Sequence, residues 1–240
     1  HTSRIEFGPL VSPVSFRDPV FTARIAKDVD DLSNGRLTLG VGAGWQEREH
    51  LMFGYELLDV AERFDRFEEG LQVISTLLQN SEPVEFAGDY YRLRQAALLP
   101  RPKRNGGPPL LIGGNGPMRT LPLVAQYADE WNGVFLTPAR FVALCEQLEL
   151  FLVEYGRRPE DVRRSVMTGL KFGRTELALS EQLGDQTAAE ARDQGMVAGT
   201  PTQVAAQVAA YAEAGAERLM LQWMDLDDFH GLEALAKTVL

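Results

Sequence analysis

The chain has 240 residues, 45% of them hydrophobic, with a net charge of −10, one cysteine and three histidines. That length suits one large domain or two small ones. The negative charge, with no basic stripe to offset it, argues for solubility and against a nucleic-acid partner. No apolar run of about 18 residues exists to span a membrane, and no signal peptide is visible. The lone Cys145 rules out an internal disulfide, fits a reducing cytosol and reads as a small core residue. His1, His50 and His230 are too few for a histidine-rich metal site.

Strand-like runs alternate with helical patterns. Ile5–Val14 reads as a strand interrupted by Gly8, Pro9 and Pro13. Pro19–Leu32 is a helix by its apolar spacing, and Ser33–Arg36 a turn. Leu37–Gly42 is the next strand, and Asp59–Leu78 a long helix with Phe64, Phe67, Leu71, Ile74 and Leu78 on one face. A hairpin and loop excursion occupies about 84–109: Phe86–Leu93 turns at Gly88-Asp89, and Pro100–Pro109 is a basic loop. In that loop Arg101, Lys103 and Arg104 read as solvated.

The strand Leu110–Ile112 leads to a helix over Met118–Ala128, and the strand Glu130–Val134 to a helix over Pro138–Tyr155. Ser165–Phe172 is the fifth strand. After a polar helical stretch, Thr200 and Pro201 open a helix that Gly215 ends. Arg218–Gln222 is the sixth strand and Phe229–Val239 the last helix. Repeated strand–helix units imply a parallel sheet covered by helices, either doubly wound or an eight-fold barrel.

The most informative stretch is Pro109-Leu-Leu-Ile-Gly-Gly-Asn-Gly-Pro-Met-Arg-Thr120. A buried strand breaks into Gly113, Gly114, Asn115 and Gly116, and Pro117 suits a first helical position. A glycine turn before a helix N-terminus, with Arg119 beside it, is what a phosphate group needs.

Several strings together resemble the luciferase-like monooxygenase superfamily. They are Arg17–Trp45, Gly113-Gly-Asn-Gly116, Ala128-Asp-Glu-Trp-Asn-Gly133, Gly199-Thr-Pro201 and Gln222-Trp-Met-Asp-Leu-Asp227. The wording is nearest to the coenzyme F420-dependent oxidoreductases. The resemblance covers nearly the whole chain as a single domain, 1–240. It implies an α/β fold of (β/α)8 TIM-barrel, bacterial luciferase-like type, starting near the third barrel strand and lacking the first two βα units. It implies a flavin-type ring at the C-terminal strand ends, a small-molecule substrate, a cytoplasmic enzyme and a homo-oligomer. It also implies a non-proline cis peptide where the first strand ends.

Site residues follow from the C-terminal strand ends. Val11 and Ser12 are expected beside the ring, with Ser12 as a hydrogen-bond donor. Ala43 and Gly44 allow close approach of the ring, and Trp45 walls the pocket and meets substrate. Some related F420 enzymes carry a carboxylate near the position of Trp45, and this chain has none there. Glu49 and His50 are the candidate proton-transfer residues, since histidine titrates near neutral pH. Gly113, Gly114, Asn115 and Gly116 would hold the cofactor phosphate, and Asn132 polar ring or ribityl groups, while Trp131 fits the core. Met167 and Thr168 are expected at a strand end, and Gln222 and Trp223 at the last one, facing substrate. Asp225, Asp227 and Asp228 read as helix-start charges rather than a metal site. The expected cofactor is F420, with the protein supplying position and electrostatics. FMN with oxygen activation, or a non-catalytic flavin-binding protein, are the alternatives.

Overall fold

The apolar runs Leu39–Gly42 and Leu110–Ile112 form buried strands, whereas the run inside Arg218–Gln222 forms a half-buried one. The computed structural model describes residues 2–240, which divide into one unit over residues 2–130 and a second over 131–240.

In the first unit, β1 (Ser12–Pro13), β2 (Leu39–Gly42) and a later strand, Leu110–Gly113, are adjacent and parallel. The expected strand over Ile5–Val14 shrinks to two residues. Pro9 and Pro13 have no N–H to donate to a ladder. Gly8 meanwhile presses its backbone against Thr38, where a Cβ would sit 1.9 Å from the carbonyl oxygen. Phe7 keeps one bridge to Leu37. Helix α1 (Pro19–Ser33) is capped by the Asp18 carboxylate, which accepts from the Val20 N–H. Short α2 (Glu47–Phe53) ends at Gly54 in the left-handed conformation. Helix α3 (Val60–Gln79), capped by Asp59, buries Phe67, Leu71, Ile74 and Leu78.

Strands β3 (Val84–Ala87) and β4 (Arg92–Ala96) form the hairpin that the sequence announces. The Glu69 carboxylate of α3 accepts from the N–H groups of Asp89, Tyr90 and Tyr91 and so fixes its turn. The basic loop is not simply solvated. Arg101 donates to the Leu77 and Leu78 carbonyls at the end of α3. Lys103 bonds Asp31, and Arg104 bonds the buried Asp30 and the Gly35 carbonyl. Leu110–Gly113 is β5, and α4 spans Thr120–Tyr127. This helix starts two residues later than expected. Residues 117–119 form a turn, and the N–H groups of Thr120 and Leu121 both reach the Gly116 carbonyl.

The second unit contains all but the first residue of β6 (Glu130–Val134), then α5 (Pro138–Glu154), β7 (Arg163–Phe172), α6 (Glu176–Leu183) and α7 (Ala188–Asp193). It continues with β8 (Val197–Gly199), α8 (Pro201–Glu213), β9 (Arg218–Gln222) and α9 (Phe229–Val239). β6 lies beside β7. β9 pairs with Ser165–Gly169 and the unexpected β8 with Leu170–Phe172, all parallel. Met167 and Thr168 therefore lie mid-strand, because β7 runs on to Phe172. Trp131 stacks on Phe141 at 5.5 Å in a core with Leu144, Leu148 and Val166. Burial pushes the Cys145 thiol up to about 11, as for an inert core residue. Among the paired strands described, only the hairpin is antiparallel, so the chain has an α/β fold with a mostly parallel sheet.

Candidate active site

The register of the first unit sets three strand ends side by side. Ser12 pairs with Val41, Pro13 with Gly42, and Val41 with Ile112. The peptide Leu10–Val11 is cis, as the resemblance implies. The Val11 side chain occupies the gap left by glycines of two neighbouring strands. A Cβ on Gly42 would lie 2.7 Å from Val11 Cγ2, and one on Gly113 would lie 3.2 Å from Cγ1. Part of the glycine content at these strand ends is thus room for Val11. Ser12 is buried, and its hydroxyl accepts from Arg17 Nη1 at 3.0 Å.

Just past β2, Gly44 has φ +86°, a conformation that L side chains rarely adopt. A Cβ there would meet Ser15 Oγ at 3.2 Å and His50 Nε2 at 3.3 Å. Ser15 Oγ and His50 Nε2 are 2.7 Å apart, and His50 Nδ1 is 2.7 Å from the Gln46 carbonyl oxygen. Arg63 of α3 donates from Nη1 to the Gly44 carbonyl at 2.9 Å, and its buried Nε lacks a hydrogen-bond partner among the described residues. Neither Ser15 nor Arg63 stands out in the sequence. The only sequence signal for Ser15 is a polar residue two positions beyond a strand end. Ala43 is half-buried, Trp45 is 78% exposed, and Glu49 is exposed while its neighbour His50 is 1% exposed. The two candidate proton-transfer residues are therefore in different environments, because adjacent positions on a helix face about 100° apart.

The turn after β5 leaves Gly113, Gly114, Asn115 and Gly116 half-buried. Gly114 has φ +132°. A Cβ on Gly114 would lie 3.4 Å from Thr120, and one on Gly116 2.9 Å from Thr120 Oγ1. Arg119, expected beside a phosphate, forms an ion pair with Asp65 and lies over the Phe64 ring at 5.4 Å.

In the second unit, Asn132 is completely buried. Its Nδ2 donates to Ser165 Oγ at 3.0 Å, and the Ser165 hydroxyl donates to the Trp131 carbonyl. Asn132 Oδ1 has no hydrogen-bond partner among the described residues. A buried acceptor without a donor is costly, by about 1–3 kcal/mol, so it marks a place for a donor that the chain does not supply. That orphan fits a ligand with an N–H group to donate, and in the first unit the turn whose Gly114 backbone other residues avoid fits, separately, a phosphate. Gln222 is exposed and Trp223 half-buried, tilted against Phe172 at 6.4 Å. Trp223 lines a cleft of about 370 Å³ with Leu170, Lys171, Gln182, Met224 and Asp225. Asp228 caps α9 by accepting from Gly231, as a helix-start charge should.

The model of the luciferase-like monooxygenase family matches residues 1–190. The chain belongs to the luciferase-like monooxygenase family. Among curated proteins it is 29% identical to an F420-dependent glucose-6-phosphate dehydrogenase of Amycolatopsis mediterranei, over 100% of this chain and 79% of that one. A 4-hydroxyprotoasukamycin monooxygenase of Streptomyces nodosus is 36% identical over 52% of this chain and 33% of its own length. Among solved structures, an F420-dependent secondary alcohol dehydrogenase in complex with an F420–acetone adduct superposes with TM-score 0.85. It shares 18% identity, and the match covers 99% of this chain and 79% of that one. The expected α/β fold of luciferase-like type is therefore the one this chain has. No helix of the described residues is long and apolar enough to cross a membrane.

Proposed function

We propose that this chain is an F420-dependent oxidoreductase that moves a hydride between F420 and a small organic substrate. One observation carries the reading: the three adjacent strand ends at Val11–Ser12, Gly42–Gly44 and Gly113–Gly116, held in register, in a chain of this family. The full-length similarity to an F420-dependent dehydrogenase supports F420 over FMN. When bound, F420 supplies a ring carbon that takes up or releases a hydride.

The chain's own residues bind and orient. Val11, Ser12, Ala43, Gly44 and Trp45 would border the ring, and the Gly113, Gly114, Asn115 and Gly116 backbone would meet the phosphate. Asn132 Oδ1 would accept from a ring N–H, which removes its orphan state. Trp45, Gln222 and Trp223 would face substrate. His50 and Glu49 are the proton-transfer candidates in this reading, His50 buried and Glu49 exposed. A single domain over 1–240, a homo-oligomeric state and a cytoplasmic location belong to the same proposal. The family match running past residue 130 supports the single domain.

The similarity to a monooxygenase favours a second reading, in which FMN is bound and oxygen activated. Titration of the purified protein with F420 and with FMN, followed by fluorescence, separates the two. The expected result is F420 binding at least tenfold tighter than FMN. The reverse order moves the protein to the monooxygenase reading, and binding of neither overturns the cofactor assignment.

A further inference from the structure

His50 is sealed from solvent, yet both of its ring nitrogens are engaged. The Gln46 carbonyl can only accept, so the proton sits on Nδ1. In the neutral ring Nε2 is then an acceptor, and the Ser15 hydroxyl, 2.7 Å away, donates to it. A hydroxyl bonded to a base that a third group orients is the arrangement of an activated oxygen. Here a backbone carbonyl replaces the usual carboxylate.

The pair has a closed end and an open end. Phe16 tilts against the imidazole at 4.9 Å and stacks on Tyr55 at 4.5 Å. Ser15 is only half-buried. It lies two residues beyond β1 and against Gly44, two residues beyond β2, at the strand ends where the ring is placed above. The groups facing His50 are Ser15 and Phe16 from the β1–α1 connection, and Gly44 and Gln46 from the β2–α2 connection. The charged Arg63 reaches the same Gly44 carbonyl from α3, and Glu47 and Glu49 of α2 are exposed.

We infer that Ser15 and His50 form the proton-moving pair of the reaction. Ser15 is the catalytic residue that meets substrate, and His50 positions it and takes its proton from behind. This rests on the oxidoreductase reading above. The substrate class is one with a hydroxyl to oxidise or, in reverse, a carbonyl to reduce. In oxidation the substrate O–H bond breaks and its proton passes to Ser15 Oγ, while Ser15 passes its own proton to His50 Nε2. The carbon-bound hydrogen leaves with its electron pair to the deazaflavin, and the carbon–oxygen double bond forms. The substrate loses one proton and one hydride, two electrons in all; after the product leaves, His50 returns its proton to Ser15 Oγ while half-buried Ser15 gives its own to solvent.

Two measurements test the pair. In the cofactor-free protein, ¹⁵N NMR of the imidazole should show the Nδ1–H tautomer; an Nε2–H tautomer overturns the inference. With F420 bound, reduction of the cofactor is followed with propan-2-ol, cyclohexanol and sugar hydroxyls. Ser15→Ala should lower kcat about 100-fold, the scale of general-base catalysis, with KM and F420 affinity within threefold. Ser15→Thr keeps the hydroxyl and should stay within about fivefold of wild type, which separates proton transfer from packing. Turnover of Ser15→Ala within threefold of wild type overturns the inference. So does a wild-type protein that binds F420 tightly but oxidises no alcohol of the panel. Failure to bind F420 falls instead on the oxidoreductase reading, and the tautomer is read independently of it.

Discussion

Two glycine-rich strand exits in the first unit look alike in sequence and differ in what surrounds them. At the β2 exit, Gly44 is boxed by Ser15 and His50, and its carbonyl is tied to Arg63. Gly42, just before it, leaves room for Val11. At the β5 exit, Gly114 and Gly116 press on Thr120, a residue of the helix that follows. The first exit is held by side chains from three separate segments, and the second mainly by its own downstream turn. A glycine cluster is thus no single signal. The missing Cβ makes space, and the neighbours decide whether a side chain or a ligand takes it.

The largest effect in this comparison should come from Gly42→Ala. Its Cβ meets a stiff valine methyl at 2.7 Å, so urea unfolding should show a loss of about 2 kcal/mol, typical of overpacking. Adding Val11→Ala should return at least half of it, a non-additivity expected of touching residues. A neutral Gly42→Ala would break the pairing of Gly42 with Val11.

Gly116→Ala should cost less, about 1 kcal/mol, because the contact is with one hydroxyl at 2.9 Å. Adding Thr120→Ala should restore stability. If the turn also holds a phosphate, F420 affinity should stay at least tenfold weaker in the double variant. Affinity that recovers together with stability would make Thr120 the whole reason for the glycine.

Arg119→Ala should have the smallest effect. Its ion pair with Asp65 is 45% and 58% exposed, and such pairs contribute at most about 0.5–1 kcal/mol. F420 affinity should change by less than twofold. A tenfold loss would mean that Arg119 leaves Asp65 for the cofactor.

Helices with strong punctuation were legible in the sequence. Asp59 caps α3, and Pro138 and Pro201 open α5 and α8 where expected. Elements that depend on partners were not. β8 is three residues long and exists as a strand only through its pairing with Leu170–Phe172. α4 starts late because the Gly116 carbonyl draws in two N–H groups. In the candidate site, Val11, Gly113 and His50 were named from the sequence. Ser15 and Arg63 were not, because a serine past a strand and an arginine on an amphipathic helix are ordinary in sequence.

The sequence by itself determined the alternation of strands and helices, the glycine exits and the family, because period, caps and short motifs are local. Only the tertiary structure decided which atoms fill the space those glycines leave, and that His50 meets Ser15. Those outcomes depend on contacts such as Ser15 with His50, 35 residues apart in the chain, which no local pattern encodes.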